Sequence, residues 1–313
     1  MIRSHYFKVS LSALACMTLI AACSPADGDV ADTTDAGVAE VAVETQTADV
    51  ATMTFDADAM TAVLNAQDDT AKARFNARNP GETLQFFGIA PGMAVGDALP
   101  GGGWYSKILL PYLGDEGRMV AVDYTIPMWG EFGFATEEFL ASKETWADEW
   151  VTTARGWTDA DIDIEAYTFE TLPQDGSLDA FLFIRALHNL SRFNAEGNYM
   201  TDALTAVYGS LIPGGVVGVV QHAGPDDADA AWANGSNGYL RKPDVIAAFE
   251  AAGFVLDGES DINANPNDMP TTDDMVWRLP PTLGTSNDNP ELRAEMEAIG
   301  ETNRMTLKFR KPG

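Results

Sequence analysis

The residues of this 313-residue chain whose types could do chemistry recur where predicted strands end. The run Val95-Gly96-Asp97-Ala98-Leu99-Pro100-Gly101-Gly102-Gly103-Trp104 reads as strand, then glycine-rich turn, then helix. Glycines let a backbone approach a ligand closely, and the start of a helix offers unpaired N–H groups. Asp97, Gly101, Gly102 and Gly103 are therefore candidate binding residues, although such turns also serve dinucleotides, phosphates or no ligand. Asp123 closes the predicted strand Met119-Val120-Ala121-Val122-Asp123. An acid there can accept hydrogen bonds from both ribose hydroxyls of a nucleoside, or simply end the strand. His188 and His222 fall just past two further strands, where each can move a proton, cap a helix or pack in a loop. Arg185 adjoins the first of these and suits an acidic substrate or a local carboxylate such as Asp179. Nothing has the spacing of a known metal site.

Strands alternating with helices must carry these residues. Residues 56–77 have helical spacing, ended by Arg78-Asn79-Pro80-Gly81, and 82–87 form a short helix before Gly88. Strands are expected at 93–98, 119–123, 164–169, 179–184, 216–221, from 254, and at 305–310. Helices are expected at 104–113, 199–211 and 242–252, with a tryptophan-rich, helical stretch at 128–158 that forms a satellite core or a lid. The run at 179–184 is apolar throughout, as in a sheet covered on both faces. This alternation predicts a doubly wound, mostly parallel α/β sheet, and ligands of such sheets sit outside the carboxyl ends of the strands.

In the glycine run the chain resembles the class I S-adenosylmethionine-dependent methyltransferases, whose first motif is acid-x-Gly-x-Gly-x-Gly. Asp97 matches the acid, Gly101 the second glycine and Gly103 the third, with Leu99 where the first belongs. Leu172-Pro173 with Ser177-Leu178-Asp179, then Leu211-Ile212-Pro213-Gly214-Gly215, then Phe249-Glu250-Ala251-Ala252-Gly253-Phe254 resemble later junctions of that fold, in the same order. The segments Arg78-Asn79-Pro80-Gly81-Glu82-Thr83-Leu84, Pro100-Gly101-Gly102-Gly103-Trp104-Tyr105, Arg185-Ala186-Leu187-His188, 215–222 and 303–312 resemble a bacterial group of predicted methyltransferases. That resemblance implies a seven-stranded, Rossmann-like sheet with an antiparallel last strand. It also implies S-adenosylmethionine as cofactor, held by Asp97, Gly101–Gly103 and Asp123. His188 or His222 would take a proton from a hydroxyl or amine as it attacks the methyl group.

At the amino end Arg3 and Lys8 precede an apolar stretch that closes in Ile20-Ala21-Ala22-Cys23. Basic, apolar and small residues in that order mark a secretory signal, too short for a comfortable span. The closing cysteine makes it resemble a bacterial lipoprotein signal. Residues 1–22 would then be removed and Cys23 lipidated. Ser24 after it favours the outer membrane, facing the periplasm, by resemblance to enteric sorting. Residues 23–54 are rich in Ala, Asp, Thr, Val and Glu without Lys or Arg, a composition for a disordered tether ahead of a domain at 55–313. Cys16 leaves with the signal, so no disulfide or thiolate zinc site is expected.

Forty-seven acidic against 19 basic residues, a net charge of −28, oppose binding to nucleic acid or an anionic membrane surface. A small-molecule substrate is expected, with membrane attachment through the lipid alone. Two other readings stand beside an anchored methyltransferase. One is a ligand-binding or scaffold lipoprotein without methyl transfer. The other is an exported enzyme of different chemistry that uses His188 and His222.

Overall fold

The computed structural model describes residues 53–313. The expected signal, Cys23 and the tether as far as residue 52 lie outside the described residues.

The helical spacing before the glycine run resolves into four short helices rather than one long and one short. They are α1 (Ala57–Ala66), α2 (Asp69–Lys72), α3 (Phe75–Arg78) and α4 (Pro80–Phe87). Asp68 interrupts the expected helix by capping α2 through the Ala71 N–H, and Asn79 turns left-handed at φ 39°. Pro80 then opens α4, since its missing N–H costs nothing at a first helical position.

The sheet follows: β1 (Ala94–Ala98), α5 (Ser106–Leu113) and β2 (Arg118–Asp123). Next come α6 (Ile126–Gly130), α7 (Glu137–Glu144), α8 (Trp146–Ala154), β3 (Asp163–Thr168) and β4 (Leu178–Ile184). Beyond β4 lie α9 (Leu187–Arg192), α10 (Asn194–Gly197), α11 (Tyr199–Ser210) and β5 (Leu211–His222). The chain closes with α12 (Lys242–Ala251), β6 (Val255–Ser260), α13 (Pro290–Ile299) and β7 (Arg304–Arg310). The Pro213-Gly214-Gly215 turn sits inside β5 as an irregularity, where the register with β4 jumps from Leu178–Leu211 to Ala180–Val216.

All seven strands form one sheet in the order β3-β2-β1-β4-β5-β7-β6. Strands β1 to β5 pair in parallel, and β7 enters antiparallel between β5 and β6. This is the doubly wound sheet with an antiparallel last strand that the resemblance implied. Alternate residues face opposite layers, as the two-residue strand period requires. Val122, Phe181, Phe183, Val219 and Phe309 pack with Leu187, Leu204 and Phe249 of α9, α11 and α12. Val95, Met119, Ala180, Leu182 and Val220 pack with Leu84, Ile108, Leu109 and Trp150 of α4, α5 and α8. The order reverses at β1, whose neighbours are β2 and β4, so the crevice for a ligand lies beyond the carboxyl ends of these strands.

Candidate functional site at the carboxyl edge of the sheet

Asp97 lies near the end of β1, 2% exposed, and accepts a 3.0 Å hydrogen bond from the Ser106 hydroxyl at the start of α5. Burial pushes its carboxyl up to about 7, against the pull of the Ser106 bond. Between them the backbone turns left-handed three times, at Leu99 (φ 52°), Gly101 (53°) and Gly103 (76°). These are the three glycine positions of the motif. Leu99 therefore keeps the conformation of the glycine it replaces, at a steric cost of roughly 1–2 kcal/mol.

The two later glycines meet different surroundings. A Cβ on Gly101 would find only the Leu99 carbonyl oxygen, at 3.9 Å, and one on Gly102 would meet open space. A Cβ on Gly103 would stand 2.3 Å from the Trp157 ring. The backbone is thus open at Gly101 and Gly102, whereas at Gly103 the chain's own tryptophan packs against it.

Asp123 ends β2, 2% exposed. Its Oδ1 accepts the Tyr124 N–H at 2.8 Å and its Oδ2 accepts Lys143 Nζ at 2.9 Å. Burial raises this carboxyl and Lys143 opposes the rise. Lys143 comes from α7 and lies 4.2 Å over the Trp129 ring. The tryptophan-rich stretch thus divides in two. Trp146, Trp150 and Trp157 join the core layer behind α5, while Trp129, Phe132 and Phe139 gather around the lysine that covers Asp123. Both carboxylate oxygens of Asp123 are thus engaged within the chain.

The two histidines come together, their ring centroids 5.7 Å apart. His188, in the first turn of α9, is 7% exposed, and its Nδ1 is buried. Burial takes its pKa down to about 4, so the ring is neutral at physiological pH. His222, the last residue of β5, shares a 2.5 Å hydrogen bond between Nδ1 and the Thr302 hydroxyl. Burial, then His188 and Arg185, hold it well below the ordinary histidine range.

An arginine cluster at this edge was not anticipated as a unit. Arg74, Arg78 and Arg304 all pair with Glu301. Arg78 and Arg304 lie on either side of it at 3.2 Å, their side chains 5% and 3% exposed. Burial, with Arg185 as the next contributor, lowers Arg78 to about 10. Asp179 is not the partner of Arg185: it opens β4 at the opposite edge and accepts the Ala94 N–H at 2.8 Å. The signal for the cluster was present, because three of the family-like segments each carry one of these arginines: Arg78, Arg185 and Arg304. Among the described residues no group of His, Cys, Asp and Glu could hold a metal ion.

No protein-family model and no curated protein matches the chain. Among solved structures it is similar to an S-adenosylmethionine-dependent methyltransferase from Aquifex aeolicus, at 15% identity and a TM-score of 0.44, covering 82% of this chain and 99% of that one. It is also similar to the 1,6-didemethyltoxoflavin-N1-methyltransferase of Burkholderia thailandensis, solved with S-adenosylhomocysteine, at 13% identity and a TM-score of 0.42, covering 82% and 87%. The [4+2]-cyclase SpnF is similar at 15% identity and a TM-score of 0.45, covering 75% and 80%. All three scores are low, so the fold class rests on the strand order and directions above. Those define a Rossmann-like, doubly wound α/β protein.

Proposed function

We propose that this protein is an S-adenosylmethionine-dependent methyltransferase for a small-molecule acceptor, exported and anchored through a lipid on Cys23. The observation that carries the reading is the turn after β1. It runs from a buried acid to the start of α5 with left-handed backbone at all three glycine positions of the motif, beside an acid ending β2. The open surroundings of Gly101 and Gly102 fit a cofactor against that turn, and Asp123 fits a ribose once Lys143 withdraws. The cofactor, when bound, supplies an electrophilic methyl group. His188 would accept the proton of the attacking hydroxyl or amine at a ring nitrogen, being already neutral and beside the second histidine. Helix α5 and the Ser106–Asp97 bond hold the turn in place for that chemistry.

A specific observation favours a second reading, a methyltransferase-like binding protein without methyl transfer. Trp157 fills the space at Gly103, and the Tyr124 N–H and Lys143 each engage one carboxylate oxygen of Asp123. Export adds to this, since the cofactor is made in the cytoplasm.

Calorimetric titration with S-adenosylhomocysteine separates the two. The first reading expects saturable binding, weakened in Asp123→Ala by about 1.5–3 kcal/mol, the worth of a hydrogen bond to a charged acceptor. It also expects binding to be abolished by Gly101→Val, which places a branched side chain at the open, left-handed turn. No binding by the parent leaves the second reading as the better one.

A further inference from the structure

Four arginines gather at the carboxyl edge, and Glu301 is the carboxylate that holds three of them. Arg185 is left over. Its Nε is buried without a partner, and its other guanidinium nitrogens make no hydrogen bond among the described residues, although the residue keeps part of its surface open. It follows β4 at the point where the strand order reverses, with backbone at φ 60°, a left-handed conformation that an L side chain adopts only under strain. Its N–H is tied to the Val220 carbonyl at 2.7 Å, which fixes it next to Gln221 of β5. Beside it lie the buried side chains of His188 and Gln221, 7% and 0% exposed, whose Nδ1 and Oε1 have only each other as partner. Gln221 is anchored through its other end, donating Nε2 to the Gly238 carbonyl at 3.0 Å.

A largely buried guanidinium with no hydrogen-bonded counter-ion of its own is costly. Among the described residues no carboxylate bonds Arg185, and Glu301, whose charge bears on it, is already shared by Arg74, Arg78 and Arg304. We infer that Arg185 binds the carboxylate of a small acidic molecule at the ends of β4 and β5. Guanidinium and carboxylate are both planar and match two bonds to two. A carboxylate seated there places the rest of the molecule along the edge shared by the histidine pair and the glycine turn. Identification of this acid with the methyl acceptor rests on the function proposed above; the binding site itself does not.

The test uses the folded protein without cofactor, titrated calorimetrically with succinate and with benzoate. We expect saturable binding by the parent and roughly 10- to 100-fold weaker binding by Arg185→Gln. Arg185→Lys, which keeps the charge but not the planar fork, should also bind more weakly than the parent. Arg192→Gln removes an exposed positive charge whose field reaches His188 and should leave affinity within about twofold, since a screened surface charge adds little. Without ligand, Arg185→Gln should melt no lower than the parent, because it removes an unpaired charge.

The inference is overturned by absence of saturable binding to either acid, by equal weakening in Arg185→Gln and Arg192→Gln, or by a clear drop in Tm of unliganded Arg185→Gln. An equal loss of S-adenosylhomocysteine affinity in Arg185→Gln would assign the arginine to the cofactor's own carboxylate and overturn it as well. Succinate binding without any S-adenosylhomocysteine binding would remove the methyltransferase reading and leave this site standing.

Discussion

At the residue scale, two buried ionisable groups have shifted in opposite senses, and each shift has a measurable consequence. Burial raises Asp97 from 3.8 to about 7. Between about pH 4 and pH 7 the folded protein therefore retains a proton that the unfolded chain has released, and stability falls as pH rises through that window. Asp97→Asn still offers Ser106 an acceptor but does not titrate. Urea unfolding should show the variant equal to the parent near pH 4 and more stable above pH 7, by on the order of 2–4 kcal/mol. A difference that is constant with pH would mean that Asp97 ionises normally. His188 moves the other way, to about 4. If it is the base, activity should show no inflection near the ordinary histidine value. His188→Gln should then lower kcat by about 10²-fold or more while S-adenosylhomocysteine affinity stays unchanged. Equal losses in both quantities would make His188 a binding residue instead.

The segment α6–α7 behaves as one unit at the scale of elements: Met128 and Phe132 anchor it in the main core, Trp129 packs against that core, and Trp129 and Phe139 also face Lys143. Helix α7 buries none of its residues, and Phe134 beside it is 61% exposed. What holds α7 down is the Lys143–Asp123 pair, its side chains 15% and 3% exposed, with the Trp129 face against the ammonium. On the proposed function, the ribose hydroxyls of the cofactor and Lys143 compete for the same carboxylate. Saturation with S-adenosylhomocysteine should therefore free the lysine and increase its rate of acylation by an amine-directed reagent, read by peptide mass spectrometry. An unchanged rate under saturation would show that the ligand does not use Asp123. Lys143→Met should lower stability at neutral pH by on the order of 3 kcal/mol, since it leaves the Asp123 charge buried and unpaired.

On the scale of the whole molecule, the inserted strand β7 joins the sheet and also delivers Arg304 to the site. Phe309 stacks on Phe249 of α12 at 4.2 Å between ring centroids, both fully buried. Phe309→Ala should cost about 3–5 kcal/mol in denaturant unfolding. It should also weaken ligand binding at the far end of the strand, whereas a loss confined to stability would separate β7 from the site. Among the described residues no helix is long and apolar enough to cross a membrane. Attachment by lipid is thus a matter for residues outside them. Mass spectrometry of the native amino terminus should find a diacylated or triacylated Cys23. An unmodified start elsewhere would remove both the anchor and the objection from cofactor supply.

The order of strands from β1 to β7 was legible in the sequence because strand runs and their closing residues are local, whereas helices α9, α10 and α13 were not expected. Pro213-Gly214-Gly215 and Ala252-Gly253 mark junctions whatever surrounds them. The placement of Asp97, the glycine turn, Asp123 and the two histidines at one edge was legible too, since each lies at or just past a strand end and parallel strands bring their carboxyl ends together. Local pattern could not show which side chains meet across hundreds of residues. Glu301 reaches Arg74 and Arg78, which are 227 and 223 positions away. Nor could it show that Trp157 and Lys143 lie on the glycine turn and on Asp123, because helical spacing shows only that a face is apolar. Leu99 looked like a departure from the motif until its φ proved to be that of a glycine. The residue types present at this edge were determined by sequence. Which of them are paired, and which, like Arg185, are not, was decided only by the packing of β4, β5 and β7 against one another.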